Sequence, residues 1–218
     1  MEKDNKLTLY FVRHGETQYN VEKRMQGFCD SPLTEKGILQ AKSVGRGLAD
    51  IDFVAAYASD SQRVQDTAKY AIGDRNIPLK IDARFREMNF GVLESLVEEE
   101  IKSLYGNILE TLFRSGLNLN LDASAPEGES FVQLFTRTEE VVKEIVANHA
   151  LEGGNILIFS HGVTIGNYLL QLTNSRDFTI HDNCSVTVVR YHDGQTEIER
   201  VADTSFREKG SALINKSS

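Results

Sequence analysis

The chain has 218 residues, of which 40% are hydrophobic, and a formal net charge of −8. This length suffices for one α/β domain with a large core, and the acidic balance argues against nucleic-acid binding, which needs a basic surface. The two cysteines lack metal-ligand spacing and suit reduced thiols in a cytosol, with a single disulfide as the alternative. The apolar stretch before Arg13 is too short for a signal peptide or a membrane span. We therefore expect a cytoplasmic protein without a membrane partner.

Short apolar runs alternate with helical patterns along the chain. Strands are predicted at 7–12, 53–58, 77–81, 156–160, 185–191 and 196–201. The last two flank an Asp-Gly pair that is typical of a hairpin turn, so at least one strand near the C-terminus has to be antiparallel. The alternation predicts an α/β fold, a doubly wound and mostly parallel sheet with helices on both faces.

The helices are predicted from capping residues and from apolar periodicity. Thr34 is the predicted N-cap of a helix that runs to about residue 49, and further helices are predicted at 64–72 and 163–173. Ser130 with Gln133 resembles a capping box and begins a helix that runs to about residue 148. The periodicity predicts five inward-facing residues on this helix: Val132, Phe135, Val142, Ile145 and Val146.

Two stretches depart from the strand and helix alternation. The sequence pattern of residues 95–130 predicts a small insertion with two short helices, packed over the sheet edge and over the active site. The polar tail after Arg207 is predicted to be loose. Without a linker or a repeat of solenoid length, the chain is expected to form one domain over residues 1–218, with the insertion inside it.

The ends of three predicted strands carry residues that suit an anion. Arg13 and His14 follow the first strand, Arg63 lies just beyond the second, and His161 ends a later one. Each residue alone has an ordinary structural interpretation, such as an ion pair or a solvated helix position. Because the carboxyl ends of parallel strands meet at one edge of the sheet, their joint occurrence predicts a site for a phosphoryl group.

These residue types support phosphoryl transfer without a metal. Arg13, Arg63 and His161 can neutralise the phosphoryl oxygens, and His14 can act as the nucleophile when one ring nitrogen is unprotonated. The leaving alkoxide needs a proton from a neighbouring carboxylic acid. Glu87 is the first candidate, because it is flanked by arginines and follows a predicted strand, and Glu16 is the next.

Other motifs give little support for a metal or a cofactor. The sequence has no phosphate loop of the G-x-x-x-x-G-K-[ST] type, no G-x-G-x-x-G and no H-E-x-x-H. Two His-Asp pairs, His181-Asp182 and His192-Asp193, could ligate a metal but are better interpreted as loop residues. We therefore predict neither a metal nor a cofactor.

The segment Phe11-Val-Arg-His-Gly-Glu-Thr17, with Asn20, resembles the signature of the histidine phosphatase superfamily in its phosphoglycerate-mutase-like branch. Further segments follow in the family's order: Gln26-Gly27, Ser59-Asp-Ser-Gln-Arg63, Arg86-Glu87, Pro126-Glu-Gly-Glu-Ser130 and Ser160-His-Gly162. The motifs span roughly residues 7–165, so the resemblance is specific.

The resemblance implies a role for each matching residue. His14 corresponds to the phosphorylated nucleophile, and Glu87 to the proton donor. The phosphoryl group would be held by Arg13, Arg63 and His161. The resemblance also implies that no metal is used, and the substrate-binding residues are expected to be Asn20, Gln26, Gly27 and Gly162.

Several positions depart from the family pattern. Ser95 stands where relatives often carry glycine, and Tyr19 where mutases commonly have tryptophan. Residues 95–130 contain only Lys102 and Arg114 as basic residues, whereas mutases use additional basic residues there for a second phosphate. We therefore expect a phosphatase acting on a small phosphorylated metabolite. The alternatives are a phosphoglycerate mutase and a non-catalytic phosphate-binding protein, and the sequence leaves the substrate and the oligomeric state open.

Overall fold

The computed structural model describes residues 6–113, 121–175, 178–192 and 194–216. Its strands form one six-stranded sheet in the order β3-β2-β4-β1-β5-β6. The strands are β1 (Leu7–Arg13), β2 (Phe53–Ala58), β3 (Leu79–Ile81), β4 (Gly154–Ser160), β5 (Val186–His192) and β6 (Gln195–Asp203).

The sheet confirms the predicted α/β fold class. Strands β3, β2, β4 and β1 are parallel to one another, whereas β5 runs antiparallel to both β1 and β6. In the pairing of β1 with β4, Arg13 lies beside Ser160. The next residue of each strand, His14 and His161, therefore leaves the sheet at the same edge.

Helices cover both faces of the sheet. They are α1 (Gln18–Glu22), α2 (Glu35–Gly47), α3 (Gln62–Ile72), α4 (Glu98–Tyr105), α5 (Ile108–Leu112), α6 (Phe131–His149), α7 (Gly162–Leu172) and α8 (Ser205–Lys216). Helices α2 and α3 pack their apolar residues on one face of the sheet, and α6 and α7 pack theirs on the other. None of the helices in the described ranges combines the length and apolarity that a membrane span requires.

The capping predictions agree with the structure. The Thr34 side chain accepts a hydrogen bond from the Gly37 amide at the start of α2, and Ser130 and Gln133 form a complete capping box at the start of α6. The predicted inward face of α6 was partly wrong, because Val132 is exposed. The prediction holds for Val142 and Ile145, which are buried, and for Phe135 and Val146, which are partly buried against the same cluster. The fully buried residues of α6 are Phe131, Leu134, Thr138, Val141, Val142 and Ile145.

The insertion contains the two predicted short helices, α4 and α5. Its buried residues Ile101 and Leu112 join Phe90, Leu93 and Phe131 in a third apolar cluster, which is separate from the two that flank the sheet. Of the stretch 118–122, which the sequence leaves without a clear period, residues 118–120 lie outside the described residues. This cluster holds the insertion beside the edge where β1 and β4 end.

The prediction of a loose tail was wrong, because Ser205–Lys216 forms α8 and packs against α2. The contact depends on small residues, since a Cβ added at Gly210 would overlap the Ser43 carbonyl and one added at Gly47 would overlap that of Phe206. Phe206 also packs against the apolar cluster under α2 and α3. A polar, glycine-containing segment thus becomes helical because its backbone fits closely against another helix.

We predict that Gly210→Val lowers the free energy of unfolding by about 2 kcal/mol, because a larger side chain forces the two helices apart. Ala212→Val on the same helix is the matched control, since Ala212 is exposed and the change should cost a few tenths of a kcal/mol, roughly the difference in helix propensity. Urea denaturation of both variants measures the difference. Equal losses would show that α8 does not depend on close packing at Gly210.

Candidate active site

The two histidines that the sequence places at strand ends meet in the structure. The ring centroids of His14 and His161 lie 5.4 Å apart, with an angle of 66° between the ring planes. Both residues are buried. The in-register parallel pairing of β1 with β4 is the direct cause, because it brings the two strand ends to the same height.

His14 is held in one tautomer. Its Nδ1 atom lies 2.8 Å from the Gly15 carbonyl oxygen, which can only accept, so Nδ1 carries the hydrogen and Nε2 keeps its lone pair. Burial, followed by the charges of Arg63 and Arg13, lowers the pKa of His14 well below its usual value of 6.5. The imidazole is therefore neutral near pH 7, as a nucleophile requires.

His161 contacts protein groups through both ring nitrogens. Its Nδ1 accepts a hydrogen bond of 3.0 Å from Nη2 of Arg63, so Nε2 carries the hydrogen and donates to Oγ of Ser59 at 3.1 Å. Burial, then the charge of Arg63, lowers the pKa of His161 well below its usual value. In this structure His161 is neutral, and its hydrogen bond with Nη2 orients the guanidinium of Arg63.

Arg63, the second residue of α3, is fully buried. Besides the bond to His161, its terminal nitrogens donate to the carbonyls of Gly27 and Cys29 at 2.8 Å and to Oδ1 of Asp30 at 2.9 Å. The ion pair with Asp30 corresponds to the ordinary structural interpretation of this arginine. Its Nε–H nevertheless finds no acceptor among the described residues.

Arg13 is oriented by the loop that precedes β5. Its Nη1 donates to the backbone carbonyl of His181, and its buried Nε–H has no acceptor in the part of the chain that the structure describes. Gly162 lies against this guanidinium, since a Cβ added there would be 3.3 Å from Nε. Burial lowers the pKa of Arg13, yet a guanidinium stays protonated. Two cations whose buried Nε–H groups lack an acceptor among the described residues favour an anionic ligand.

The structure distinguishes the two candidate proton donors. Glu87 is buried, and its carboxylate accepts from the amides of Met88, Val163 and Thr164 at 2.9 to 3.0 Å. These bonds fix it at the N-terminus of α7, which favours a negative group. Glu16 instead pairs with Lys36 at 2.7 Å, and this hydrogen bond lowers its pKa. Glu87 therefore faces the site, and Glu16 serves the start of α2.

A cavity of about 350 Å³ joins most of the predicted site residues. Five of the nine line its wall: Arg13, His14, Asn20, Gln26 and Glu87. The other four do not line it: Gly27, Arg63, His161 and Gly162. Asn20 and Gln26 stabilise their own loop, because both side chains hydrogen-bond to Thr17. The described part of the insertion contributes further wall residues, as the sequence predicted.

Sequence reasoning missed three residues that hold the site loops. Arg137 of α6 donates to the carbonyls of Arg84, Arg86 and Glu87 and pairs with Glu129 of the 126–130 turn. The Asn183 side chain donates to the His14 carbonyl at 3.1 Å and to Asn20 at 3.2 Å, and its own carbonyl accepts from Arg207 of α8. The local sequence around Arg137 or Asn183 shows no pattern that indicates such a role.

Glu94 is the third missed residue. Its carboxylate accepts from the amides of Phe28 and Cys29 at 2.8 and 2.6 Å, so it holds the loop whose carbonyls surround Arg63. The next residue, Ser95, has a φ of 69°. The resemblance indicated glycine here, and the left-handed backbone explains that preference, because a non-glycine residue pays about 1–2 kcal/mol for it.

The His-Asp pairs do not form a metal site in the described residues, where no group of three or more metal-ligating side chains occurs. His181 is buried between the Thr179 carbonyl and the Thr187 hydroxyl, each 3.0 Å from a ring nitrogen. It stabilises the loop that orients Arg13. Asp193 of the second pair lies outside the described residues.

A family model for the histidine phosphatase superfamily (branch 1) matches residues 9–204. The chain belongs to this superfamily. The match confirms the resemblance found in the sequence, and it spans both histidines, both arginines and Glu87. The residues that form the site described above are therefore the ones that carry the family motifs.

Similar proteins include both mutases and phosphatases. A probable phosphoglycerate mutase (GpmB) of Enterobacter sp. strain 638 is 34% identical over 196 residues, which is 86% of each chain. The structure of a phosphoglycerate mutase from Bacillus anthracis strain Sterne is 34% identical, with a TM-score of 0.85 over 96% of this chain and 99% of that one. A mycobacterial glucosyl-3-phosphoglycerate phosphatase is 25% identical, with a TM-score of 0.80 over 90% and 99% of the chains.

We predict that the buried histidines make the protein less stable in mild acid. Burial lowers the pKa of His181 from 6.5 to about 4, so between these values the unfolded chain binds a proton that the folded chain does not. Stability therefore falls as the pH drops through this window, by up to about 1.4 kcal/mol per pH unit for one such histidine. His14 and His161 act in the same direction.

Urea denaturation at pH 6.0 and 5.0, in phosphate-free buffer, tests this linkage. His181→Asn removes one buried titrating group, so its loss of stability between the two pH values should be smaller than that of the unsubstituted protein by about 1 kcal/mol. Parallel losses in the two proteins would contradict a depressed pKa for His181.

Proposed function

We propose that this protein is a metal-independent phosphatase that hydrolyses a small phosphomonoester through a phosphohistidine on His14. One observation carries the proposal: an unprotonated Nε2 of His14 shares a cavity with Glu87, beside two arginines whose buried Nε–H groups have no acceptor in the described ranges. The arginines supply the charge that neutralises phosphoryl oxygens, and Nε2 supplies the lone pair.

The reaction then has two steps. In the first, Nε2 of His14 attacks phosphorus, the bond to the ester oxygen breaks, and Glu87 gives a proton to the departing alkoxide. The hydrogen bond from Nδ1 to the Gly15 carbonyl stabilises the positive charge that develops on the ring. In the second, Glu87 removes a proton from water, the water oxygen bonds to phosphorus, and the N–P bond breaks to release phosphate.

Glu87 suits both steps because its two oxygens differ. Oε1 accepts from the amides of Met88 and Thr164 and from the Thr164 hydroxyl, whereas among the described residues Oε2 accepts only from the Val163 amide. Oε2 is therefore the oxygen with room for the transferred proton. The contacts of Arg137 with the carbonyls of residues 84–87 keep this loop in place.

A phosphoglycerate mutase is the second candidate, and the names of the relatives favour it. A mutase has to hold an acceptor that already carries an anionic group. In the described part of the insertion, Lys102 is the one basic residue, and it is exposed and absent from the cavity wall. This scarcity of basic residues favours water over a phosphorylated molecule as the acceptor of the phosphoryl group, and it therefore favours hydrolysis.

A trapping experiment tests the nucleophile. The protein is mixed with a ³²P-labelled phosphomonoester and denatured in alkaline SDS, because a phosphohistidine is labile in acid. We expect label on the peptide that contains His14 and none in His14→Gln, while His149→Gln, at the C-terminal end of α6, keeps the label. Full turnover by His14→Gln would contradict the proposal, and phosphate binding without label or turnover would indicate a non-catalytic protein.

A chase of the labelled protein distinguishes the two reactions. In buffer, or in buffer with 3-phosphoglycerate, we expect all label to leave as inorganic phosphate. Labelled bisphosphoglycerate in the second chase would instead identify a mutase.

Glu87→Gln tests the proton donor, because glutamine keeps the size of the side chain and cannot donate the same proton. We expect the first-turnover rate to fall by about 10²–10⁴-fold for an alkyl phosphate. It should fall far less for p-nitrophenyl phosphate, whose leaving group needs little protonation. Glu16→Gln is the matched control and should resemble the unsubstituted protein. Equal losses on both substrates would contradict the role of Glu87.

A further inference from the structure

The cavity has two chemically different parts. One part surrounds His14 and contains Arg13, Asn20, Gln26 and Glu87, whereas the remaining wall is largely apolar. Six residues form what we call the apolar wall: Met25, Phe90, Leu96, Ile101, Leu109 and Phe113. Four of them, Leu96, Ile101, Leu109 and Phe113, belong to the insertion, which in this chain therefore presents hydrocarbon to the site.

The apolar wall is anchored in the third apolar cluster. Phe113 contacts the rings of Phe90 and Phe131, with centroids 5.9 Å apart in each pair. Ile101 is buried in the same cluster, and Leu109 packs against it. Such a wall is preformed, so a ligand that covers it need not first order it.

The other charged residues of the cavity wall offer little to a second anionic group. Among the described residues they are Lys23, Arg24 and Glu98. Arg24 is already engaged, since it donates to Glu22 at 2.8 Å and to the Ser95 carbonyl at 2.7 Å. Lys23 is exposed, and the cavity wall also carries the carboxylate of Glu98. An exposed ammonium gives weak ion pairing in water.

We propose that the phosphomonoester this site hydrolyses carries an apolar leaving group, such as an aryl-alkyl or branched alkyl alcohol, and that the apolar wall selects it. This inference rests on the proposed phosphatase function. A phosphate ester of that kind places its dianion beside Arg13 and His14 and its hydrocarbon on the apolar wall. A cavity of about 350 Å³ matches such a small ester and lies at the lower end of volumes typical of ligand sites.

The test compares substrates with equally poor leaving groups, so that chemistry does not bias the result. 2-Phenylethyl phosphate, glycerol 3-phosphate and 3-phosphoglycerate are all esters of primary alcohols. We expect kcat/KM for 2-phenylethyl phosphate to exceed the other two by roughly 100-fold or more, since one methylene in a hydrophobic pocket is worth about 10- to 200-fold. Glycerol 3-phosphate or 3-phosphoglycerate as the better substrate would overturn the proposal.

Two leucines on neighbouring helices provide matched variants. Leu109→Gln places an amide on the apolar wall and should lower the ratio of kcat/KM for 2-phenylethyl phosphate to that for glycerol 3-phosphate by roughly 10-fold. Leu104→Gln, on the exposed side of α4, should leave the ratio unchanged. Equal ratios in the two variants would overturn the role of the apolar wall.

The outcomes separate this inference from the function on which it rests. Label on His14, with a preference for glycerol 3-phosphate or 3-phosphoglycerate, overturns the apolar leaving group and leaves the phosphatase intact. If His14 carries no label and none of the three esters is turned over, both the apolar leaving group and the phosphatase function are overturned.

Discussion

The parallel pairing of β1 with β4 is the constraint on which the site depends. With Arg13 beside Ser160, the two strands end at the same height, and His14 and His161 emerge as neighbours. A shift of one residue would turn every side chain of β1 to the opposite face of the sheet. It would exchange the side chains that β1 contributes to the two apolar clusters and separate the two imidazoles, so the packing of the sheet and the geometry of the site are fixed together.

The second feature of the site is buried positive charge that the protein only partly neutralises. Arg63 has carbonyls and one carboxylate on its terminal nitrogens, and Arg13 has a carbonyl, yet neither Nε–H finds an acceptor in the part of the chain that the structure describes. Both histidines stay neutral, because a further charge would have to be buried beside two guanidinium groups. A phosphoryl dianion supplies the missing acceptors and the missing charge at once.

Two helices outside the cavity wall, α6 and α8, hold the loops of the site. Arg137 of α6 fixes the backbone around Glu87, and Arg207 of α8 fixes Asn183, which in turn contacts the His14 carbonyl. Glu94 fixes the loop whose carbonyls surround Arg63. It directly precedes the insertion, and the next residue, Ser95, has a left-handed backbone. The site is therefore positioned by backbone carbonyls and amides that these polar side chains hold in place.

The sequence by itself determined the strands, the helix caps and the order of the family motifs. The bounds of β2, the Thr34 cap and the placement of Arg13, His14 and His161 at strand ends all depend on local patterns that can be read over a few residues. Only the tertiary structure decided that Ser205–Lys216 is a packed helix, that Glu16 pairs with Lys36, and that Arg137 supports the acid loop. The physical reason is that these outcomes depend on how closely segments distant in sequence approach, and glycine contacts and carbonyl hydrogen bonds leave no periodic trace in the chain.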